Sequence, residues 1–403
     1  MKILHTADWH LGKRLYQTDL LEDSRQFVKW LLALLEERQI DVLLVAGDVF
    51  DTTNPSPEAI QIYFDFLKGL VALNCQVIIT GGNHDSPAVL NGPRHLLRLL
   101  NIHVIGGACE DCLEEVLPLL DRQKNLQGVI CAVPFLRDRD LKRSVEGENF
   151  ETRRLAVRAG IQRRYEQVYQ HGRATYANVP VLGMGHLFVN GSLPSDNDDK
   201  LHHIGTLDLF EANLFPSFDY LALGHIHRPQ MIAKQENIRY SGSPIALSFS
   251  ERLDEKIVVL LELKNNQVID IQEINVPKFR QLRRITGSFT EVEKRIQAYT
   301  HTNSLKTLVE IEIQEEHRDP MLIDVAKAYF LNFSHPHMFV LNWRFRFEQQ
   351  LKATEELFGE TTQLTELRPR DVFEQWLSEN ADNEESKILL SEAFEELLNQ
   401  TNS

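Results

Sequence analysis

Cysteine is scarce in this chain. Four in 403 residues are too few for the disulfide framework that holds small secreted domains together. Cys75 and Cys131 lie in or beside apolar runs and read as small buried hydrophobes. Cys109 and Cys112 have CxxC spacing, but no second pair or His pair follows at zinc-finger distance. A metal or redox centre is therefore not expected there. Long hydrophobic runs are also missing: no stretch reaches the roughly 18 apolar residues of a membrane-spanning helix. Met1-Lys2-Ile3-Leu4-His5 enters a strand directly, without the apolar core of a signal peptide. The expected location is the cytoplasm, with no membrane partner.

The apolar and charged fractions, 43% and 25%, are those of an ordinary soluble protein, and the length allows two or three domains. The net charge of −15 is unevenly spread. Residues 348–403 hold 14 acidic and 4 basic residues, so the acidity is mostly C-terminal. Residues 134–173 hold 10 basic residues against 6 acids. That stretch is either a patch that meets phosphates or a solvated helix face.

Five apolar runs each end in a polar cluster. Lys2–Thr6 leads to Asp8-Trp9-His10, and Asp41–Ala46 to Gly47-Asp48-Val49-Phe50-Asp51. Cys75–Thr80 leads to Gly82-Asn83-His84-Asp85, Val179–Leu182 to Gly185-His186, and Asp219–Leu223 to Gly224-His225-Ile226-His227. Any one cluster alone reads as a turn, since Gly, Asn and Asp favour turns. Five of them do not, because ligands of open α/β sheets bind outside the carboxyl ends of the strands. The clusters are expected to converge on one site.

Between the strands, residues 20–38 predict a helix with Phe27, Leu31, Leu34 and Leu35 inward. Residues 57–72 predict another, with Ile60, Phe64, Leu67 and Val71 on one face; Tyr63 and Phe66 fall off that stripe and either widen the core or form a dimer contact. Ala88–Leu100 predicts a third helix, 150–170 a basic one, and 189–205 a loop near the site. The alternation argues for an α/β layered domain over 1–276, with a second sheet plausible. Residues 280–347 read as a small α+β unit, 348–365 as a linker, and 366–403 as two short amphipathic helices that dock on a partner or on the main body. His335-Pro336-His337 copies the HxH spacing but sits in a Pro turn and reads as surface.

Imidazoles, carboxylates and one amide oxygen make a mixed N/O ligand set suited to manganese, iron or zinc. Two divalent ions about 4 Å apart activate a water and clamp the oxygens of an in-line displacement at phosphorus. Asp48 is the central candidate for the shared carboxylate, and Asp8, His10, Asn83, His186, His225 and His227 supply roughly three further ligands per ion. His84 is then free to act as an acid near a leaving oxygen, and Asp51 is placed to orient it.

The D-x-H, G-D-x-x-D, G-N-H-D, G-H and G-H-x-H blocks, in order over residues 8–227, resemble the calcineurin-like metallophosphoesterase superfamily. The resemblance implies a β-sandwich flanked by helices. It implies one metal on Asp8, His10, Asp48 and His227, a second on Asp48, Asn83, His186 and His225, and His84 as the catalytic acid. Ile3–Gly12, Val45–Asp51 and Ala222–Arg228 more closely resemble the SbcD family, the nuclease subunits of bacterial SbcC–SbcD DNA-repair complexes. Ala7 stands where Ser is more usual. This second resemblance implies two Mn2+ ions, DNA as substrate, and single-strand endonuclease activity. With the SMC-like ATPase SbcC and ATP it implies double-strand exonuclease activity on ends and hairpins. It further implies a capping domain at 280–347, SbcC-binding helices at 366–403, and a homodimer within a heterotetramer, formed through the helices after the second and third motifs. No Walker-type phosphate loop occurs, so ATP hydrolysis falls to the partner.

Two rivals remain. A phosphoesterase of small molecules would use the same metals and His84, but needs neither cap, basic stretch nor tail. A metal-free scaffold would have lost ligands, and none is missing.

Overall fold

The computed structural model describes residues 1–141, 149–193, 210–300 and 303–347, with Phe373, Leu377, Leu390, Ser391 and Phe394 beyond them. The linker at 348–365, most of the expected C-terminal helices, residues 142–148 of the basic stretch and 194–205 of the long loop lie outside the described residues. The described residues form two compact units. Met1–Arg284, Thr300–Glu310 and Ser334–Asn342 make the first; Ile285–Tyr299, Ile311–Phe333 and the described residues from Trp343 make the second.

Two six-stranded sheets build the first unit. One runs Gln267–Asn275, Ile257–Lys264, Lys2–Thr6, Val42–Ala46, Gln76–Thr80, Ile102–Ile105. The other runs Gln230–Ile232, Gln235–Tyr240, Tyr220–Gly224, Val181–His186, Leu126–Ala132, Val116–Leu120. Strands Lys2–Thr6, Val42–Ala46, Gln76–Thr80 and Ile102–Ile105 are parallel neighbours, as are Leu126–Ala132, Val181–His186 and Tyr220–Gly224. Parallel strands place their carboxyl ends on one edge, which is what brings the polar clusters together.

The runs are apolar throughout because both faces of each sheet are covered. Ile3, Val42, Leu44 and Ile78 of the first sheet pack with Leu182, Met184, Tyr220 and Ala222 of the second. The opposite faces carry helices. Leu4, Leu43, Val45 and Val77 meet Phe27, Leu31, Ile62 and Phe66 from helices Leu21–Glu37 and Pro57–Leu70. Val129, Cys131 and Val181 meet Val157, Ile161, Tyr165 and Val168 from helix Phe150–Thr175. This is the helix-flanked β-sandwich expected.

Two helices depart from expectation. The helix over Pro57–Leu70 buries Ala59, Ile62, Tyr63, Phe66, Leu67 and Leu70, whereas Phe64 is 44% exposed and Val71 54%. Apolar residues occupy both sides of this helix, so the stripe was ambiguous in phase. The aromatics settle it: Tyr63 packs edge-on to Phe50 at 5.4 Å and Phe66 to Trp9 at 5.0 Å. Tyr63 and Phe66 are core residues. Ala88–Leu100 is not one helix but two short ones, Pro87–Asn91 and Arg94–Arg98. Pro93 between them has no N–H to donate and interrupts the ladder.

In the second unit, helix Phe289–Gln297 begins with a reciprocal capping box between Ser288 and Glu291, and helix Pro320–Leu331 is capped by Asp319. Phe330 stacks on Trp343 at 5.0 Å, and Phe373 stacks on Phe394 at 3.9 Å. No helix among the described residues is long and apolar enough to cross a membrane.

Candidate metal centre

The first two clusters are knitted together by backbone. Asp8 N–H donates to Gly47 O (3.0 Å), His10 N–H to Asp48 O (3.0 Å) and Leu11 N–H to Val49 O (2.9 Å). This pairing puts Asp8, His10 and Asp48 in the left-handed region, at φ of 55°, 45° and 50°. Side-chain-bearing residues rarely adopt that region, and such strain concentrates at functional sites. Gly47 and Gly82 permit the close approach. Gly47 combines φ of 84° with the His186 ring lying where a Cβ would project, and a Cβ on Gly82 would overlap Asp48 Oδ1.

Asp85 ties in the third cluster. Its buried carboxylate accepts from the N–H groups of Val49 (3.1 Å), Phe50 (2.9 Å) and Gly82 (2.8 Å). Burial, with Asp48 nearby, pushes its pKa up to about 6.

Asp48 sits at the centre. Its Oδ1 accepts from His84 N–H at 2.9 Å, and its Oδ2 lies 3.2 Å from His186 Nε2 and 3.5 Å from His10 Nε2. On one side, donor atoms of Asp8, His10 and His227 fall within 4.8 Å of one another, with His10 Nε2 facing His227 Nε2 at 3.1 Å. On the other, Asp8, Asp48 and His186 do the same. Asn83 Oδ1 lies 3.0 Å from both His186 Nε2 and His225 Nδ1. All seven expected ligands therefore meet, four from the first sheet's loops and three from the second's strand ends.

The environment suits a cation. Asp8 Oδ1 accepts from His225 N–H at 2.8 Å, but Oδ2 is buried with no hydrogen-bond partner among the described residues. An orphaned carboxylate oxygen and two imidazole nitrogens aimed at each other are what an N/O-ligated divalent ion would resolve. Burial pushes Asp8 up to about 7 and holds His10 and His225 down, to about 4 and 3, so these imidazoles are neutral at pH 7 and offer lone pairs. His186 goes the other way. Burial opposes its charge, but the adjacent Asp48 carboxylate raises it to about 9. Asp48 responds in kind: burial would raise it, yet His186 holds it well below the usual carboxylate range.

His84 stands half-buried beside the group, its ring 4.8 Å from that of His10. Its Nδ1 lies 2.8 Å from the Asp51 carbonyl oxygen. A carbonyl only accepts, so Nδ1 carries a proton and Nε2 is the atom left to exchange one. Asp51 thus meets His84 through its backbone. Its carboxylate lies 3.1 Å from His10 Nδ1 and accepts from Lys13 Nζ at 3.1 Å.

Sequence reasoning gave no role to Asp85, Lys13, Glu251 or Lys256. Asp85 was visible within the G-N-H-D block. Glu251 and Lys256 lie beyond the last cluster, in a segment with no strand-end signal. Both are buried and paired at 2.6 Å, with Glu251 Oε1 3.6 Å from His227 Nδ1. In the basic stretch, Arg153, Arg154, Arg158 and Arg164 pair with Asp138, Glu151, Glu211 and Glu115, so local acids offset much of its charge. Cys109 and Cys112 are free thiols whose pKa values burial raises, Cys109 to about 11.

Comparison with known proteins agrees with this fold. The family described as calcineurin-like phosphoesterase matches residues 1–229. A second, described as the type 5 capsule protein repressor C-terminal domain, matches residues 278–381. The SbcD component of the SbcCD nuclease of Escherichia coli K12 is 35% identical over 382 residues, covering 94% of this chain and 93% of that protein. Its counterparts in the SbcCD nucleases of Rhodobacter capsulatus and Bacillus subtilis are 36% and 31% identical, covering 65% and 68% of this chain and 66% and 69% of theirs.

Proposed function

The chain belongs to the calcineurin-like phosphoesterase family and, within it, to the SbcD components of SbcCD nucleases, and from that premise we propose that it cleaves DNA phosphodiester bonds with two divalent ions at the site above. One ion is held by Asp8, His10, Asp48 and His227, the other by Asp48, Asn83, His186 and His225. Manganese fits this mixed N/O set. Bound there, the ions supply Lewis acidity and an activated water nucleophile. His84 presents Nε2 to the leaving oxygen and protonates it, with Nδ1–H anchored on the Asp51 carbonyl. Asp51 acts by fixing that carbonyl and, through its carboxylate, the ring of His10. Arg137, whose Nη2 donates to the Asp85 carbonyl at 3.1 Å, stands beside the His84 loop as a phosphate contact.

The observation that carries this reading is the gathering of N/O donors around Asp48, whose Oδ2 faces His10 on one side and His186 on the other, with the His84 ring beside them, its Nδ1 turned to the Asp51 carbonyl. The finer activities are proposed with it: single-strand endonuclease action and, with SbcC and ATP, double-strand exonuclease action on ends and hairpins in repair and recombination. Residues 280–347 serve as the cap and 366–403 as the SbcC-binding segment. A homodimer within the heterotetramer is supported by the outward apolar residues Phe64, Val89, Leu96 and Leu99, the last two 65% and 82% exposed. The cytoplasm is the proposed location.

The test incubates the chain and Mn2+ with labelled single-stranded DNA and with a small chromogenic phosphodiester. Cleavage of DNA is expected, reduced by about 10²–10⁴ in His84→Ala with bound manganese unchanged. Cleavage of the small ester alone, or loss of manganese in His84→Ala, would contradict the reading. Removing residues 366–403 is expected to abolish SbcC binding and spare metal-dependent single-strand cleavage.

A further inference from the structure

A neutral imidazole offers one ring nitrogen to a metal when its proton sits on the other, and an acceptor beside that other nitrogen favours this tautomer. His10 turns Nδ1 to the Asp51 carboxylate at 3.1 Å, and His186 turns Nδ1 to the Ala46 carbonyl at 2.9 Å. His227 turns Nε2 into the site, facing His10 Nε2 at 3.1 Å. What faces its Nδ1 is Glu251, with Oε1 at 3.6 Å.

Glu251 is fully buried, and everything around it fixes its position. Oε2 accepts from Lys256 Nζ (2.6 Å), Ser243 Oγ (3.2 Å) and Leu247 N–H (3.2 Å). Oε1 accepts from Ser248 Oγ at 2.9 Å and otherwise points at His227. Lys256, 7% exposed, also donates to the His227 carbonyl at 3.1 Å and to Ser243 Oγ at 2.9 Å. The pair therefore meets His227 at two points: Lys256 hydrogen-bonds its backbone carbonyl, and the Glu251 carboxylate faces its ring nitrogen at 3.6 Å. A buried ion pair is weak evidence for stability, because desolvation offsets most of its attraction. Its placement around one histidine calls for a different role.

We propose that Glu251 is a positioning residue for the nuclease site, holding His227 as the Nδ1–H tautomer so that its Nε2 lone pair faces the metal, with Lys256 clamping both. The inference rests on the two-ion reading above only for its consequence; the tautomer itself is a property of the metal-free chain. Partners of this kind set ligand orientation, and their removal costs about 10–100-fold in metal affinity.

The test uses the full chain in three forms: wild type, Glu251→Gln, and the doubly substituted Glu251→Met/Lys256→Met. The double change removes both buried charges together, which folded proteins tolerate far better than loss of one partner. Long-range ¹H–¹⁵N spectra of the metal-free protein, assigned with His227→Asn, report the tautomer. Manganese titration reports each ion's affinity. The wild type is expected to show the Nδ1–H form. The double variant should lose that preference and weaken one of two manganese ions by about 10–100-fold, leaving the other within about twofold. Glu251→Gln, which keeps the shape and one acceptor oxygen, is expected to weaken the same ion by a smaller factor and gives the readout should the double variant not fold. An Nε2–H form in the wild type, or unchanged manganese affinity in every folded variant, would overturn the proposal. A wild type that keeps the Nδ1–H form but binds a single manganese would instead count against the two-ion reading.

Discussion

The two sheets bring residues to the same site by different means. On the first, the loops after Lys2–Thr6, Val42–Ala46 and Gln76–Thr80 are laced by backbone hydrogen bonds and by the Asp85 carboxylate, with Asp8, His10 and Asp48 held in left-handed conformations. On the second, His186 is the last residue of its strand, and His225 and His227 follow theirs directly. Their rings are met by single groups rather than by a backbone lattice: Asn83 faces both His186 and His225, Ala46 takes the other nitrogen of His186, and Glu251 lies against His227. The shared backbone bracing predicts that the first sheet's contribution fails as a unit, whereas the second sheet's histidines, held by side-chain and single carbonyl contacts, are expected to fail more locally.

Asp48→Asn should have the largest effect, because Asp48 faces His10 on one side and His186 on the other. Binding of both ions and cleavage are expected to be lost together, read by manganese titration and DNA cleavage; retention of one tight ion would show that the groups do not share this carboxylate. The next contrast sets Asp85→Ala against His225→Ala. Asp85→Ala leaves three buried N–H groups unpaired and should lower stability by roughly 3 kcal/mol or more, seen in denaturant unfolding, while weakening both ions although it is a ligand of neither. His225→Ala should weaken only the ion shared with Asn83. Equal effects of the two substitutions on both ions would erase the distinction. The smallest effect is expected away from the site, at Ser56, whose hydroxyl caps the helix Pro57–Leu70 by accepting from Ala59 N–H at 3.2 Å. Ser56→Ala should cost about 1 kcal/mol and leave cleavage per folded molecule unchanged.

The same division explains what was legible beforehand. Strand ends announce themselves, because an apolar run that stops at Gly and then Asp or His carries its own boundary. Hence all seven candidate ligands and His84 could be named, together with the layered architecture. Contacts between distant segments carry no such mark. Glu251 and Lys256 sit in a stretch with no strand-end cluster, and only folding places them against His227. Asp51 was legible as a neighbour of His84, but that its backbone makes the contact while its carboxylate turns to His10 depends on the local chain path. The Pro57–Leu70 helix shows a third limit. Apolar residues on both of its sides leave the phase to be decided by which rings find Trp9 and Phe50.

Electron paramagnetic resonance of the manganese-loaded chain asks whether residues from both sheets would hold two ions with Asp48 between them. Two manganese ions per chain are expected, with the multiline spectrum of a spin-coupled pair, as for ions about 4 Å apart. A single ion, or two ions with independent spectra, would contradict that expectation.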